Sequence, residues 1–195
     1  MDTRVTELHC IMPVDNIPSV IEHGILSNEM AAKLKHQSVA MQEVQDKRDK
    51  KQIPGGLKLH QYANLYFHAR NPMMYKRRDE VGNLCVLRVS LEVLGFKGTV
   101  ITDRNAASNY VRFLTPALVG MLNFDDIFAP DWRHPGDTVA YWRHKAAKCA
   151  EVLVPKCVET RFLTGAYVVD AAARSRLGGL GFALPITVCP VLFFR

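Results

Sequence analysis

The chain has 195 residues, 48% of them apolar and 23% charged, with a formal charge of +6 and an isoelectric point near 9.1. That length holds one domain with a real core, 1–195, and leaves no room for a second of ordinary size. The opening MDTRVTELHC lacks the pattern of a leader, and no apolar run approaches the ~20 residues that cross a bilayer, so neither secretion nor membrane insertion is expected.

From the N-terminus, TELHCIMPV predicts a short strand ending at Pro13. Asp15 or Asn16 is placed to cap a helix over IPSVIEH, with Pro18 in its first turn and Gly24 as the left-handed residue that ends it. Ser27 caps a second short helix, NEMAAKLKH. The stretch 47–57, KRDKKQIPGGL, reads as a loop. Strands are expected at NLYFHA, NLCVLRVSL and GTVITD, followed by a small helix over RNAASNYVRF. A helix near DTVAYWRHKAAK runs into an apolar strand, EVLVP, and two more strands close the chain at YVVD and PITVCPVLFF. Strands outnumber long helices and do not alternate with them, so the fold class is α+β with a mixed or antiparallel central sheet and short flanking helices.

Several chemistries lose support at this level. There is no G-x-G-x-x-G after a strand, no G-x-x-x-x-G-K-S/T, no G-x-S-x-G and no H-E-x-x-H. The five cysteines, Cys10, Cys85, Cys149, Cys157 and Cys189, are odd in number and never in zinc-like spacing, so they read as reduced thiols of a cytoplasmic protein, with no metal expected. Positive charge gathers in KRDKK (47–51), YKRR (75–78) and WRHK (142–145), which suits either a polyanion-binding face or a solvated basic surface. One residue stands out: Glu151, alone between Ala150 and the run Val152, Leu153, Val154. A carboxylate at the head of a buried strand is costly to desolvate unless paired.

Four segments in one order, LHCIMPVDNIPSVIEHGILS (8–27), NLYFHARNPMMY (64–75), VITDRNAAS (100–108) and KCAEVLVP (148–155), resemble the successive motifs of the DarT family, and the closing ITVCPVLFF resembles its last strand. That family consists of toxins that transfer ADP-ribose from NAD to nucleic acid, on the fold of the ADP-ribosyltransferase superfamily. The resemblance implies NAD as donor substrate, a base in single-stranded DNA as acceptor, release of nicotinamide, and a macrodomain antitoxin that reverses the modification. It implies that Glu151 is the catalytic glutamate, that Arg48 in VQDKRDKK is the loop arginine across the pocket, and that Tyr66 and Tyr75 hold the nicotinamide. Asn16, Gly24, Leu26 and Ser27 fall where family members line the NAD site. Asn105 and Ser108 match a family motif beside the nucleic-acid channel, and the basic cluster with Arg77 and Arg78 is suited to track the phosphates of a single strand.

The family's first strand usually carries a histidine, and here Cys10 holds that position with His9 one residue earlier. Both are candidates for NAD contact, although neighbours on a strand point to opposite faces and His9 would need a bulge or register shift to substitute. RNA or protein as acceptor, and a catalytically inactive nucleic-acid-binding module, remain the competing expectations.

Overall fold

β-branched and aromatic runs make the strands, and Asx or proline residues start most of the helices. A computed structural model describes residues 1–34, 37 and 42–195. In chain order the elements are β1 (Leu8–Pro13), α1 (Ile17–His23), β2 (Ile25–Leu26), α2 (Asn28–Ala31), α3 (Gln42–Asp49), β3 (Tyr62–Tyr66), α4 (Pro72–Lys76), β4 (Leu84–Val89), β5 (Val100–Thr102) and β6 (Phe113–Leu114). There follow α5 (Phe124–Phe128), α6 (Thr138–Ala147), β7 (Glu151–Pro155), β8 (Cys157–Val158), β9 (Leu163–Val168), α7 (Ala171–Gly179) and β10 (Ile186–Val188).

Eight strands form one sheet in the order β10-β9-β4-β1-β3-β7-β5-β6, antiparallel throughout except for the parallel β9–β10 pair; β2 and β8 form a small ribbon beside it. The expected α+β class stands. The inner strands β1, β4 and β7 are buried along most of their length. Leu8, Val86, Leu87, Val89, Val152 and Val154 are at most 1% exposed, and each such side chain contributes about 1.5–3 kcal/mol relative to leaving it in water.

One seam departs from this regular pairing. β1 pairs with β4 at every position from Leu8 to Pro13, and β3 with β7 from Tyr62 to Tyr66, but β1 meets β3 only at His9 opposite Tyr66. The sheet therefore parts along β1 and β3, and a cleft opens there.

Several local expectations are corrected. Neither Asp15 nor Asn16 caps α1 through its side chain; the Asn16 amide group instead exchanges bonds with the Gln37 backbone, at 2.7 and 2.9 Å. Ser27 does cap α2, accepting from Met30 N–H, but that helix ends at Ala31; 35–36 of its expected span lie outside the described residues. The head of the expected loop 47–57 is helical, belonging to α3. The strand expected at 64–69 ends at Tyr66, because Asn71 and Pro72 start α4: the Asn71 side chain accepts from Met73 and Met74 N–H. RNAASNYVRF is a turn that leads into β6, not a helix. The last expected strand is confined to Ile186–Val188, and a 3-10 turn takes Pro190–Phe193. Helix α7, capped by Asp170 on Ala173 N–H, carries no prominent periodic signal and was not expected.

Candidate active site

The seam opens into a cleft of about 990 Å³, at the upper end of the roughly 300–1,000 Å³ usual for small-molecule and cofactor sites. Its wall includes Cys10 and Met12 from β1, Asn64 and Tyr66 from β3, Gly24 at the end of α1 and Leu26 from β2. Gly24 has φ +75°, and a Cβ there would stand 2.1 Å from the Val158 carbonyl oxygen. Only glycine lets α1 end so close to β8.

Glu151 opens β7 opposite Tyr66 and is 0% exposed. Arg48 Nη1 donates to both carboxylate oxygens, at 3.3 Å to Oε1 and 3.0 Å to Oε2, and Ala106 N–H donates to Oε1 at 3.2 Å. Arg48 Nη2 donates to Asn64 Oδ1 at 3.0 Å. Arg48 lines the cleft while remaining 7% exposed, so its guanidinium stands between the cleft and the carboxylate. The Glu151 backbone is fixed as well: its N–H donates to Thr102 Oγ1 at 3.0 Å, and the Thr102 hydroxyl donates to the Arg104 carbonyl at 2.7 Å.

Burial pushes the Glu151 carboxyl above its ordinary value, against the pull of Arg48, the Ala106 amide and Lys51. Burial, with the Glu151 charge adding to it, also lifts the Tyr66 phenol well above its usual range. Cys149 lines the cleft two residues before Glu151, and burial pushes its thiol up to about 12, so it stays neutral. A buried carboxylate whose proton affinity is raised, and which one guanidinium covers, is suited to stabilise nearby positive charge and to accept a proton at neutral pH.

The structure gathers most of the residues singled out in the sequence. Cys10, Asn16, Gly24, Leu26, Arg48, Tyr66, Tyr75, Arg77, Arg78 and Asn105 all line the cleft, with Glu151 beneath Arg48. Tyr75 stands at its mouth, 45% exposed, edge-on to Trp132 and Phe194 and with the Arg78 guanidinium 4.5 Å above its ring.

Three residues are not brought in. The β1–β4 register runs through His9 and Cys10 without a bulge, so the two side chains diverge. Cys10 faces the cleft. His9 does not line the cleft; it accepts from Ala69 N–H at Nδ1 (3.2 Å), with Nε2 3.1 Å from Glu7 Oε1. Ser27 is 1% exposed and engaged as the α2 cap, and Ser108 does not line the cleft, though its carbonyl accepts from Lys51 Nζ.

Sequence reasoning missed Asn64, Thr102 and the Ala106 amide. Asn64 was findable, since it lies two residues before Tyr66 and a strand puts such positions on one face. The Ala106 amide leaves no mark in a sequence, because any residue but proline carries it.

Residues 9–194 match the model of a family described as "ssDNA thymidine ADP-ribosyltransferase, DarT". The whole chain is 31% identical over 208 residues to a DNA ADP-ribosyl transferase-DNA ADP-ribosyl glycohydrolase fusion protein of Thermosipho africanus, and spans about half, 51%, of that relative's length. A DNA ADP-ribosyl transferase of Thermus sp. is 27% identical over 164 residues, covering 77% of this chain and 75% of the relative. Among solved structures, Thermosipho africanus DarTG in complex with ADP-ribose superposes with a TM-score of 0.81 at 28% identity, over 96% of this chain and 51% of that one. Thermus sp. 2.9 DarT in complex with ADP-ribosylated ssDNA gives 0.82 over 97% of this chain and 96% of that one, and at 21% identity this likeness speaks to the fold.

Proposed function

The chain belongs to the DarT family, and from that premise we propose that it is an NAD-dependent mono-ADP-ribosyltransferase that modifies a base in single-stranded DNA and releases nicotinamide. The observation that carries this reading is the buried Glu151 carboxylate under Arg48 at the floor of a cleft of about 990 Å³. Residues 1–195 act in it as one catalytic domain, in the cytoplasm, where the five unpaired thiols and a nucleic-acid substrate both fit. Among the described residues no helix is long and apolar enough to cross a membrane, and no group of side chains could hold a metal ion.

NAD fits the cleft by size and by lining. Tyr66 and Tyr75 offer aromatic walls to the nicotinamide ring, and Asn16, Gly24 and Leu26 line the same space. Cys10, its thiol pushed up to about 12 by burial, offers a neutral contact where the family usually has histidine. NAD supplies an ADP-ribosyl group: its bond to nicotinamide breaks with the electron pair leaving on nicotinamide, and a nitrogen of the acceptor base bonds to the freed anomeric carbon. The Glu151 carboxylate stabilises positive charge developing at that carbon and takes the proton from the base nitrogen. Arg48 holds the carboxylate in place from the cleft side. Asn105, Arg77 and Arg78 line the cleft wall, which supports a role for them in meeting the strand. A single strand is the fitting acceptor because a base within a duplex must first be extruded, at a few kcal/mol.

The Thermosipho relative joins a DNA ADP-ribosyl glycohydrolase to its transferase in one protein. We extend that pairing here: the enzyme acts as the toxin of a toxin–antitoxin pair, and its antitoxin is a macrodomain glycohydrolase that removes the ADP-ribose. The test is to incubate the purified chain with NAD and mixed-sequence single-stranded DNA or RNA, and weigh the oligonucleotides intact. One ADP-ribose gained by DNA, and absent with a folded Glu151→Gln variant, is the expected result. Gain on RNA alone, or none on either polymer, overturns it.

A further inference from the structure

The loop after β5, residues 103–112, supplies the Ala106 N–H that reaches Glu151. One carboxylate ties the ends of this loop together. Asp103, with its side chain 6% exposed, accepts from Arg112 N–H at 2.9 Å and Arg112 Nε at 3.0 Å, and from Arg104 Nε at 3.3 Å and Nη2 at 3.1 Å. Within the loop, Asn105 Oδ1 accepts from Ala107 N–H at 2.8 Å, and Ser108 N–H donates to the Asn105 carbonyl at 2.9 Å. Lys51 Nζ donates to the Ser108 carbonyl, which fastens the loop to the segment just after α3, the helix of Arg48. Both donors to the Glu151 carboxylate thus sit on segments that Lys51 joins.

Building on the transferase reading, we infer that Asp103 is a positioning residue for the reaction: its carboxylate closes loop 103–112 so that the Ala106 N–H stays on Glu151 and keeps that carboxylate aimed and anionic during transfer. Asp103 does not line the cleft and acts only through the loop. Burial works against its ionisation, but the bonds from Arg112 and Arg104 outweigh burial and hold its carboxyl below the ordinary range, so it is charged at neutral pH. The groups that face Glu151 are Arg48 and Lys51 from the α3 side, Tyr66 from β3, Cys149 from the turn before β7, and the Ala106 amide. Those that face Asp103 are Arg104 and Arg112.

The sign of one measurement separates this role from simple electrostatics. Removing a negative charge near Glu151 would lower its proton affinity, whereas losing an N–H donor raises it. Asp103→Asn does the first directly and the second only through the loop. With carbon-13 carboxyl-labelled glutamate in the full chain, and the Glu151 signal assigned by its loss in Glu151→Gln, the Glu151 titration midpoint in Asp103→Asn is expected to rise by about half a pH unit or more. The Ala106 amide should exchange with solvent about tenfold faster. Transfer to DNA should fall about tenfold in kcat, with KM for NAD within about twofold.

A Glu151 midpoint that falls or stays, with Ala106 exchange unchanged, overturns the inference. Should Asp103→Asn fail to fold, Arg112→Gln replaces it: that side chain is 55% exposed, and its backbone bond to Asp103 persists. Faster Ala106 exchange supports the inference there and unchanged exchange overturns it. The titration and the exchange need neither NAD nor DNA. A chain that shows both changes yet modifies no nucleic acid therefore sinks the transferase reading separately from the role of Asp103 in holding the loop.

Discussion

Glu151 is buried and Glu7 partly buried; each is bonded to an arginine, and they end with opposite acidities. Glu7, 11% exposed at its side chain, accepts from Arg88 Nε at 2.7 Å, lies 3.1 Å from His9 Nε2 and takes a bond from Tyr167. Burial works against its ionisation, but those three partners outweigh it and hold the carboxyl at about 2. Glu151, at 0% exposed, has Arg48 and one amide, and burial prevails. An arginine alone does not decide whether a buried carboxylate is a permanent charge; the balance of donors against desolvation does. The better-supplied acid braces the end of β1, and the under-supplied one lies beneath the cleft.

Arg48→Ala tests the comparison most severely. Glu151 loses the guanidinium that bonds both of its oxygens, so transfer should drop about a hundredfold or more and the acidic limb of the pH–rate profile should move further up. Breaking one side of a buried pair should also cost about 3–5 kcal/mol in a denaturant melt. Unaltered kcat would show that the pair is architecture alone.

Glu7→Gln probes the other acid. Its folded value of about 2 lies below the ordinary 4.5, so its contribution is present above that ordinary value and lost as pH falls toward the folded one. The variant should be less stable by about 2–3 kcal/mol at neutral pH, and the gap from the parent should close between about pH 4.5 and 2, with kcat within about twofold. A gap that does not change with pH would mean that packing, not charge, accounts for the loss.

The smallest effect concerns a cation apart from both acids. Arg78, stacked 4.5 Å over Tyr75 at the cleft mouth, should contribute one phosphate contact. In Arg78→Ala the log–log salt slope of single-strand affinity should become shallower by about one. An unchanged slope would remove Arg78 from the path of the strand.

Legibility differed by element. β1, β4 and β7 announced themselves as apolar runs, and α6 follows an Asp137 cap that accepts from Ala140 N–H. Glu151 stood out because a charge at the head of such a run needs a reason. The turn around Asn105 was misread as a helix because Asn and Ser favour caps and turns alike; here Asn105 bonds Ala107 N–H, two residues on, and the chain turns instead. α7 was missed because its sequence, AAARSRLGG, concentrates no apolar face and ends in two glycines.

By itself the sequence determined the inner strands β1, β4 and β7, the order of the motifs that mark the family, and that His9 and Cys10 must diverge, because strand alternation is a local property of the backbone. Only the tertiary structure decided what each side chain meets. It left β1 and β3 joined at a single pair of residues, so that a cleft opens between them, and it brought Arg48 onto a carboxylate 103 residues away. It also delivered a backbone amide to that carboxylate by closing a loop on Asp103. Contacts of this kind depend on sheet order and loop closure, which join positions distant along the chain and which no local pattern encodes.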